Sequence, residues 1–443
     1  MKTACMIPYC PAEELERALE SGSRASIHYR GYTAESMVRA FKKYGPVFQA
    51  DINGEREVLL AGMEANELAW RNPDDWSYHE ASAVFREELS HLHLTQLDGE
   101  AHRRKRRLLN KAFKKGSILA HLPKMAEEVF GNLLQHDGER IELHEVLMML
   151  FTRLNSISSV RVSLSDDQIR EMIDFEEGFI GALFLKPEER RTVYNRVHYL
   201  ETKRAVLAYL EQLVRKRYEH TGDGDLLDEV MHQKVSSSLE PLSLEELIYD
   251  AYLILIAGTG NTAKTLCRVI DALLDHPTWT ERLKAEVAGF NASSLSRGMD
   301  PFPLLKATLM EAERLFAAAP TIPRVPARDL EFLGYHLPAG THCLHLITLM
   351  HFHEEVYQDP YEFKPERWLD HEYPKSAHGT FGGGTHVCLG MNVARIHMPL
   401  FLAALLSGYR IERHGPPRTE PFAYPGEVDA PTLRYDVTFR SLR

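Results

Sequence analysis

Cysteine is scarce in this chain, and its apolar runs are short. Five cysteines among 443 residues are too few for the disulfide framework of a small secreted protein. The longest nearly unbroken apolar runs, Ala251–Ala257 and Met398–Leu406, fall short of the about 18 residues that indicate a membrane span. The N-terminal stretch lacks the apolar segment of a secretory signal. These absences predict a cytoplasmic protein without a membrane span.

Positively charged residues are also fewer than negatively charged ones. The chain has 52 Lys and Arg against 63 Asp and Glu, a formal net charge of −11, which argues against general affinity for nucleic acid or anionic lipid. Hydrophobic residues at 44% and charged residues at 26% exclude a disordered chain. No internal repeat and no Pro/Gly/Ser linker divides the sequence. We therefore expect one domain over residues 1–443, in which residues 1–33 have no assigned role.

Secondary-structure signals favour helices over strands. Asn53-Gly54 separates two β-prone stretches, which is a strong hairpin signal. Apolar residues recur at three- and four-residue spacing over residues 99–316, and short strands and loops follow. The pattern predicts a mainly α fold with a small β portion built from both ends of the chain.

One helix in this region is expected to be unusually long. Ser243 and Glu246 have the spacing of a capping box, and Pro277 disfavours extension beyond His276. A helix of more than thirty residues would span about 50 Å at about 1.5 Å per residue, enough to cross the whole domain.

The most informative stretch is FGGGTHVCLG, residues 381–390. Consecutive glycines permit close backbone approach and positive φ angles, but no Lys-Ser/Thr pair follows them, so a phosphate loop is excluded. A structural turn with a buried cysteine is the simple alternative. Cys388, however, lies just before a predicted helix N-terminus, where backbone amides favour a thiolate. A thiolate in such a loop is suited to bind a soft metal centre from one side.

This stretch closely resembles the haem-binding loop of the cytochrome P450 family. The matching positions are Phe381, Gly382, Gly384, His386, Cys388, Gly390, Ala394 and Arg395. The resemblance extends from about residue 34 to the C-terminus. It implies the cytochrome P450 fold with a long central helix over the haem, haem b (iron protoporphyrin IX) as cofactor, and Cys388 as the ligand of its iron.

Further motifs resemble this family. Glu311 and Arg314 match its E-x-x-R pair, and Arg367 in FKPERW matches the third member of a buried structural ion cluster. Without the resemblance, a pair at i and i+3 would be read as a surface salt bridge.

A second group of residues is expected around the haem propionates. His102 and Arg106 lie at i and i+4 in a stretch that resembles the C-helix signature, so both can face the haem. Arg324 falls where the family has another propionate-binding arginine, and His386 is a fourth candidate. Together with Phe381 and Cys388, they form the predicted cofactor-binding set.

The central helix departs from the family at its oxygen-activation segment. The usual pattern is Ala/Gly-Gly-x-acid-Thr-Thr/Ser, and this chain has Ala257 and Gly258, then Gly260 at the acid and Asn261 at the first threonine. An amide is a poor proton relay, so Thr262, ordered water or a substrate hydroxyl would have to act instead. Related haem-thiolate isomerases and dehydratases resemble the chain in having Asn here. Gly258, Asn261 and Thr262 are the candidate catalytic positions.

A basic run bears on this choice. Residues 103–115 contain eight Lys or Arg and no acid, in an otherwise acidic protein. In the family this helix borders the cysteine side of the haem, so the run, including Arg104 and Lys105, predicts a docking face for an acidic ferredoxin or flavodoxin.

The sequence therefore favours a monooxygenase that inserts one oxygen atom from dioxygen into a lipophilic small molecule. An isomerase/dehydratase, a peroxide-driven enzyme and a non-catalytic haem sensor are the alternatives. Phe175, Phe179 and Phe184 lie where the family's pocket roof is expected, and core packing and pocket contact are equally supported for them. Small residues at 317–319 indicate room above the haem.

Overall fold

A computed structural model describes most of the chain. The described residues are 6–17, 28–29, 31–52, 54–160, 162–182, 185, 187–219, 226–231, 242–415 and 434–442. Helices dominate, as expected from the apolar spacing. The α-helices are α1 (Ala34–Tyr44), α2 (Met63–Arg71), α3 (Tyr78–Ala81), α4 (Ala83–Glu88), α5 (Gly99–Ala112), α6 (Lys115–Leu119), α7 (Leu122–Gln135), α8 (Leu143–Val160), α9 (Asp166–Ala182), α10 (Pro187–Tyr194), α11 (Val197–Glu219), α12 (Leu226–Met231), α13 (Leu244–Leu255), α14 (Thr259–Asp275), α15 (Pro277–Glu286), α16 (Pro303–Leu315), α17 (Arg367–Asp370) and α18 (Met391–Gly408).

The strands are short and come from both ends of the chain. They are β1 (Tyr9–Cys10), β2 (His28–Tyr29), β3 (Tyr32–Thr33), β4 (Val47–Ile52), β5 (Glu55–Ala61), β6 (Arg140–Glu142), β7 (Ile322–Arg324), β8 (Leu330–Phe332), β9 (Tyr335–Leu337), β10 (Cys343–Leu346), β11 (Tyr409–His414) and β12 (Asp436–Ser441). The largest sheet has the order β1-β4-β5-β10-β7, and a second has the order β11-β12-β6. The first sheet joins residues from the start of the chain to the segment that carries Arg324.

The predicted hairpin is confirmed by the pairing of its two strands. Strands β4 and β5 run antiparallel, with Val47 opposite Leu60 and Ile52 opposite Glu55. Asn53 itself lies outside the described residues. Strand β5 then pairs in parallel with β10, and β10 pairs antiparallel with β7, in which Arg324 lies opposite Cys343.

The long central helix is two helices. The capping box at its start is confirmed, since the Ser243 hydroxyl accepts from the Glu246 amide and the Glu246 side chain accepts from the Ser243 amide. The predicted end is confirmed too, because α14 stops at Asp275. Between them the helix is interrupted at residues 256–258, so the prediction of one continuous helix is wrong. Two glycines within three residues lower the helix propensity at this point.

Helix α18 illustrates why apolar composition alone does not indicate a membrane span. Its mean hydropathy of 1.2 over 18 residues would suffice for a span, but 61% of it is buried within the protein. Leu400, Phe401 and Leu402 lie in the main hydrophobic core together with residues of α7, α8, α14 and α16. The helix that follows the Cys388 loop is therefore a core helix, which anchors the loop.

Candidate active site

The Cys388 loop is closed by its own backbone. The Cys388 amide donates to the Phe381 carbonyl at 2.8 Å, and α18 begins three residues after the cysteine. Gly382 and Gly384 adopt φ angles of +66° and +64°, which L-residues with side chains rarely adopt. The loop thus needs glycine at these two positions for conformational reasons.

The middle glycine is required by packing. Gly383 has an extended φ of −165°, which any residue can adopt. A Cβ atom at this position would collide with the ring of Trp70, and one on Gly384 would collide with the Trp70 carbonyl oxygen. The loop therefore lies directly against the end of α2. Sequence analysis did not identify Trp70, because no local signal ties it to a loop more than three hundred residues away.

The Cys388 thiol is accessible but has protein atoms close around it. Its side chain is solvent-accessible, yet burial within the protein raises the pKa of the thiol. The amides of Gly390 and Met391 and the guanidinium of Arg106 act in the opposite direction and stabilise a thiolate. A metal that binds this accessible sulfur would displace the proton.

Arg106 holds the far side of the same loop. Its Nη2 donates to the Val387 carbonyl, and its Nε donates to Asn110 Oδ1 at 2.8 Å. Phe381 is held from the other side, because the Arg395 guanidinium lies 5.0 Å from its ring centroid and pairs with Glu313 at 2.7 Å. The loop is braced by cations on both sides.

His102 and His386 meet in a stack of three rings. The His386 ring lies 3.7 Å from that of His102 and 3.5 Å from that of Tyr78, with nearly parallel planes. Arg324 is hydrogen-bonded to this stack. Its Nη1 donates to the Tyr78 hydroxyl at 2.7 Å, and its Nε donates to His345 Nδ1 at 3.1 Å. Three predicted residues, His102, His386 and Arg324, thus lie together with Arg106, which follows His102 by one helical turn. Tyr78 and His345 are members that sequence analysis did not predict.

The electrostatics of this cluster suit a bound dianion. Burial, with His102, Arg324 and Arg106 nearby, lowers the pKa of His386 to about 2. Burial and Arg106 lower the pKa of His102 to about 4, although Asp98 opposes them. Both imidazoles are therefore neutral near pH 7, and the two guanidiniums carry the charge. His102 Nε2 is buried without a hydrogen-bond partner in the described structure. A haem fits this donor set: His102, Arg106 and Arg324 would hold its propionates, and the Cys388 sulfur would bind its iron.

We expect Arg324→Ala to weaken haem retention. A hydrogen bond to a charged group contributes about 1.5–3 kcal/mol, so haem should dissociate roughly ten- to a hundredfold faster from the variant. Transfer of haem to excess apomyoglobin measures the rate. Arg328→Ala is the matched control, because its side chain is 72% exposed and pairs only with Asp75. Equal dissociation rates in the two variants would contradict a propionate-binding role for Arg324, and His102→Ala tests His102 in the same way.

Glu311, Arg314 and Arg367 form a buried ion cluster beneath the loop. Arg314 Nη2 and Nε donate to the two Glu311 oxygens at 2.8 and 2.9 Å, and Arg367 Nε donates to Oε1 at 3.2 Å. Trp368 Nε1 and the Lys364 amide also donate to the carboxylate, both at 2.9 Å. Arg314 further reaches the His351 and Pro360 carbonyls at 2.6 Å. The cluster ties α16 to the segment that precedes the Cys388 loop.

The interruption of the central helix exposes two of the candidate catalytic positions. Gly258 and Asn261 are accessible, whereas Thr262 is buried. The Thr262 hydroxyl donates to the Gly258 carbonyl at 2.8 Å, so its proton is already engaged within the helix. Thr259 also accepts from Asn155 Nδ2 at 3.0 Å. A relay role for Thr262 stays a prediction.

The basic run does not present all of its charge to solvent. Lys105 is fully buried, contacts the Leu92 carbonyl and pairs with Asp250 at 3.2 Å. Arg104 pairs with Glu246 at 3.0 Å and is largely covered. The prediction that Lys105 meets a partner protein is therefore wrong, and that for Arg104 stays a prediction. A run of like charges on a helix places residues on every face, and the sequence alone cannot tell which face is covered.

The phenylalanines of α9 lie in an aromatic cluster. Phe175 and Phe179 are both fully buried, with ring centroids 6.2 Å apart. Tyr252 on α13 lies 5.4 Å from Phe175 and 6.3 Å from Phe179. These contacts favour core packing for the two residues, and Phe184 lies outside the described residues. Of the small residues at 317–319, Ala319 is exposed and Ala317 is buried.

Comparison with known proteins agrees with this geometry. The sequence pattern of the family described as cytochrome P450 matches residues 22–439. Cytochrome P450 120 of Synechocystis sp. is 26% identical over 83% of this chain and 84% of its own length. Cyclooctat-9-en-7-ol 5-monooxygenase of Streptomyces melanosporofaciens is 26% identical over 71% of each chain. A solved cyanobacterial cytochrome P450 with retinoic acid bound is 25% identical, has a TM-score of 0.77 and covers 92% of this chain and 94% of its own.

Proposed function

Because this chain belongs to the cytochrome P450 family, and is therefore a haem-dependent oxidoreductase, we propose that it is a monooxygenase driven by a separate electron donor. It would insert one atom of dioxygen into a lipophilic small molecule. Haem, when bound, supplies the binding and reduction of dioxygen. The residues of the chain hold the cofactor, stabilise the thiolate and supply protons. A cytoplasmic location fits this proposal, since small soluble electron donors act there.

The observation that carries this proposal is a group of four exposed cations on a segment that contacts α18, the helix that follows the Cys388 loop. Arg107, Lys111, Lys114 and Lys115 are exposed, on α5 and at the start of α6. Asn392, four residues after Cys388, donates from Nδ2 to the Phe113 carbonyl at 2.9 Å. The backbone next to Lys114 therefore contacts the helix that follows the thiolate loop. We call these four residues the basic docking surface.

An isomerase would not need such a surface. Electron transfer requires the donor to approach the haem edge or its cysteine ligand, and positive charge steers an acidic donor toward that region. The remaining protein is acidic, so the basic docking surface stands out as a local attraction. An acidic ferredoxin or flavodoxin is the partner that this charge pattern favours over a basic or neutral one.

We expect Lys111→Glu/Lys114→Glu to slow reduction by an acidic ferredoxin about tenfold at low salt, and less at high salt. Stopped-flow reduction under carbon monoxide measures this rate directly. Arg204→Glu is the matched control, because Arg204 is also exposed but lies on α11, in the groove between α11 and α13. A rate that changes equally in both variants, or in neither, would remove the docking role and strengthen the isomerase alternative.

The substrate class is inferred from the relatives. Retinoic acid and cyclooctat-9-en-7-ol each consist mostly of hydrocarbon with one oxygen-containing group. We infer that the substrate of this chain is of the same kind, an isoprenoid-like molecule. The accessible positions Ala319, Gly258 and Asn261 offer small or neutral side chains and no charge to bind a polar ligand. Retinoic acid is therefore a suitable first probe for spectral titration.

A further inference from the structure

Gly260 lies at the position of the usual family acid, and a carboxylate from another helix reaches it. Glu176 belongs to α9, and its Oε1 accepts a hydrogen bond from the Gly260 amide at 3.4 Å. A Cβ atom on residue 260 would lie only 3.3 Å from that oxygen. The carboxyl of Glu176 therefore occupies the space beside the central helix that a side chain at 260 would need. The acid missing from the central helix is thus supplied by α9.

Glu176 is positioned as a reservoir for one proton. Its side chain is buried, and Oε2 has no hydrogen-bond partner in the described structure. Since Oε1 accepts from an amide, the proton belongs on Oε2, the oxygen that is free to donate. Burial raises the pKa of Glu176 to about 8, although Lys264 opposes the shift. This shift favours the carboxylic acid over the carboxylate.

The titratable neighbours of Glu176 come from three helices. Lys264 lies on α14, four residues after Gly260 and about 40° away around the helix axis, so it faces the same side. Burial lowers the pKa of Lys264, and Glu176 acts against this shift. Glu177 on α9 raises the pKa of Glu176, and Tyr252 on α13 is also within electrostatic range. Lys264 is the one of these that would stabilise Glu176 after it gives up a proton.

We propose that Glu176 supplies a proton for oxygen activation from α9, in place of the acid that the central helix lacks. This inference rests on the proposed oxygenase function. Dioxygen accepts two electrons from the donor protein and two protons, one oxygen atom enters the substrate and the other leaves as water. Glu176 provides one of these protons from Oε2 toward the accessible positions Gly258 and Asn261 of the central helix. It becomes a carboxylate next to Lys264, and a solvent proton restores the acid.

The hydroxyls near this point are less suitable as the proton source. Thr262 is buried, and its hydroxyl donates a hydrogen bond to the Gly258 carbonyl at 2.8 Å. Thr259 is fully buried and accepts from Asn155. Neither hydroxyl carries a proton near pH 7 that it can give up without taking another, whereas a neutral carboxyl does. These threonines can relay a proton, but the source of that proton is Glu176.

Infrared spectroscopy tests the protonation state without turnover. In the resting protein we expect a carboxyl C=O stretching band that titrates with a midpoint near pH 8 and is lost in Glu176→Gln. Glu177→Gln is the matched control, since it removes a neighbouring carboxyl that is 38% exposed and lies 4.0 Å from Arg434. The control should keep the band. A wild-type protein without such a band, or a band that persists in Glu176→Gln, would overturn the proposal.

The reduction of dioxygen in the absence of substrate tests whether Glu176 supplies the proton. Two electrons and two protons convert dioxygen to peroxide, whereas four of each are needed for water, and the second path depends on proton supply at the cleaved bond. We expect Glu176→Gln to reduce the rate of water formation about a hundredfold, so that peroxide becomes the main product. Glu177→Gln should leave the peroxide fraction closer to that of the wild type.

The outcomes separate the two proposals. An unchanged peroxide fraction in Glu176→Gln, in a protein that still consumes reductant, would reject the role of Glu176 and leave the oxygenase function standing. A wild-type holoprotein that does not consume reductant with any acidic donor would reject the oxygenase function itself. A loss of water formation in Thr262→Val but not in Glu176→Gln would move the proton source to the threonine.

Discussion

Cys388→Ala is expected to remove thiolate ligation and all reductant-dependent turnover. Cys388 is the exposed cysteine among the described residues, and alanine has no sulfur that could bind iron in its place. The ferrous–carbonyl complex of the variant should lose the red-shifted absorption that thiolate ligation produces. Cys10→Ala is the control, because Cys10 is a buried cysteine on β1 and its thiol pKa is raised to about 11 by burial. An unchanged carbonyl spectrum in Cys388→Ala would mean that another residue binds the iron.

Glu311→Gln is expected to destabilise the fold by about 3–5 kcal/mol, because it leaves two guanidiniums buried without their carboxylate. Urea unfolding of the holoprotein at pH 7 measures the change in the free energy of unfolding. Glu281→Gln is the matched control, since Glu281 is 71% exposed and pairs with Lys284 on the surface. It should change the free energy of unfolding by no more than about 0.5 kcal/mol.

The pH dependence gives a second check on Glu311. Burial alone would raise the pKa of this carboxyl, but the hydrogen bonds and charges of Arg314 and Arg367 hold it below its ordinary value of 4.5. A lowered pKa in the folded state stabilises the protein above about pH 4.5, and this contribution is lost as the pH falls through the folded pKa. The stability difference between wild type and Glu311→Gln should therefore shrink in acid. A difference that stays constant from pH 7 to pH 4 would contradict the ion cluster.

Much of the site follows from residues that lie close together in the sequence. The spacing of Cys388 and its glycines, and the i, i+3 spacing of Glu311 and Arg314, are local signals. Arg367 and Arg324 required the family resemblance, because nothing near them in the chain indicates a common partner. The structure adds the contacts: Arg324 meets Tyr78, which is 246 residues away.

The errors also have physical causes. The start and end of the central helix depend on a capping box and on a proline, both local, and both were predicted correctly. Gly258 and Gly260 lower the helix propensity around the interruption between Ile256 and Gly258, and α8 and α9 supply the neighbours of Gly260. Lys105 can be buried because its ammonium group donates a hydrogen bond to the carboxylate of Asp250, which is 145 residues away. No periodicity in the sequence shows such a pairing.

Glu176 shows what pattern reasoning could have found. In α9 the buried residues Ile169, Met172, Phe175 and Phe179 follow helical spacing, and Glu176 falls on the same face, four residues after Met172. A carboxylate on an apolar helix face is costly to bury as an ion and points to a function or a partner. The sequence gives that warning, but only the structure shows that the partner is Gly260.

Isotope labelling tests the proposed reaction most directly. Purified holoprotein is incubated under ¹⁸O₂ with reductant, an acidic ferredoxin and retinoic acid, and in parallel with a linoleic acid hydroperoxide but no reductant. We expect a product of retinoic acid that carries one ¹⁸O atom, formed only when reductant and donor are both present. Rearrangement of the hydroperoxide without reductant, together with no labelled product in the first incubation, would contradict the monooxygenase and establish the isomerase alternative.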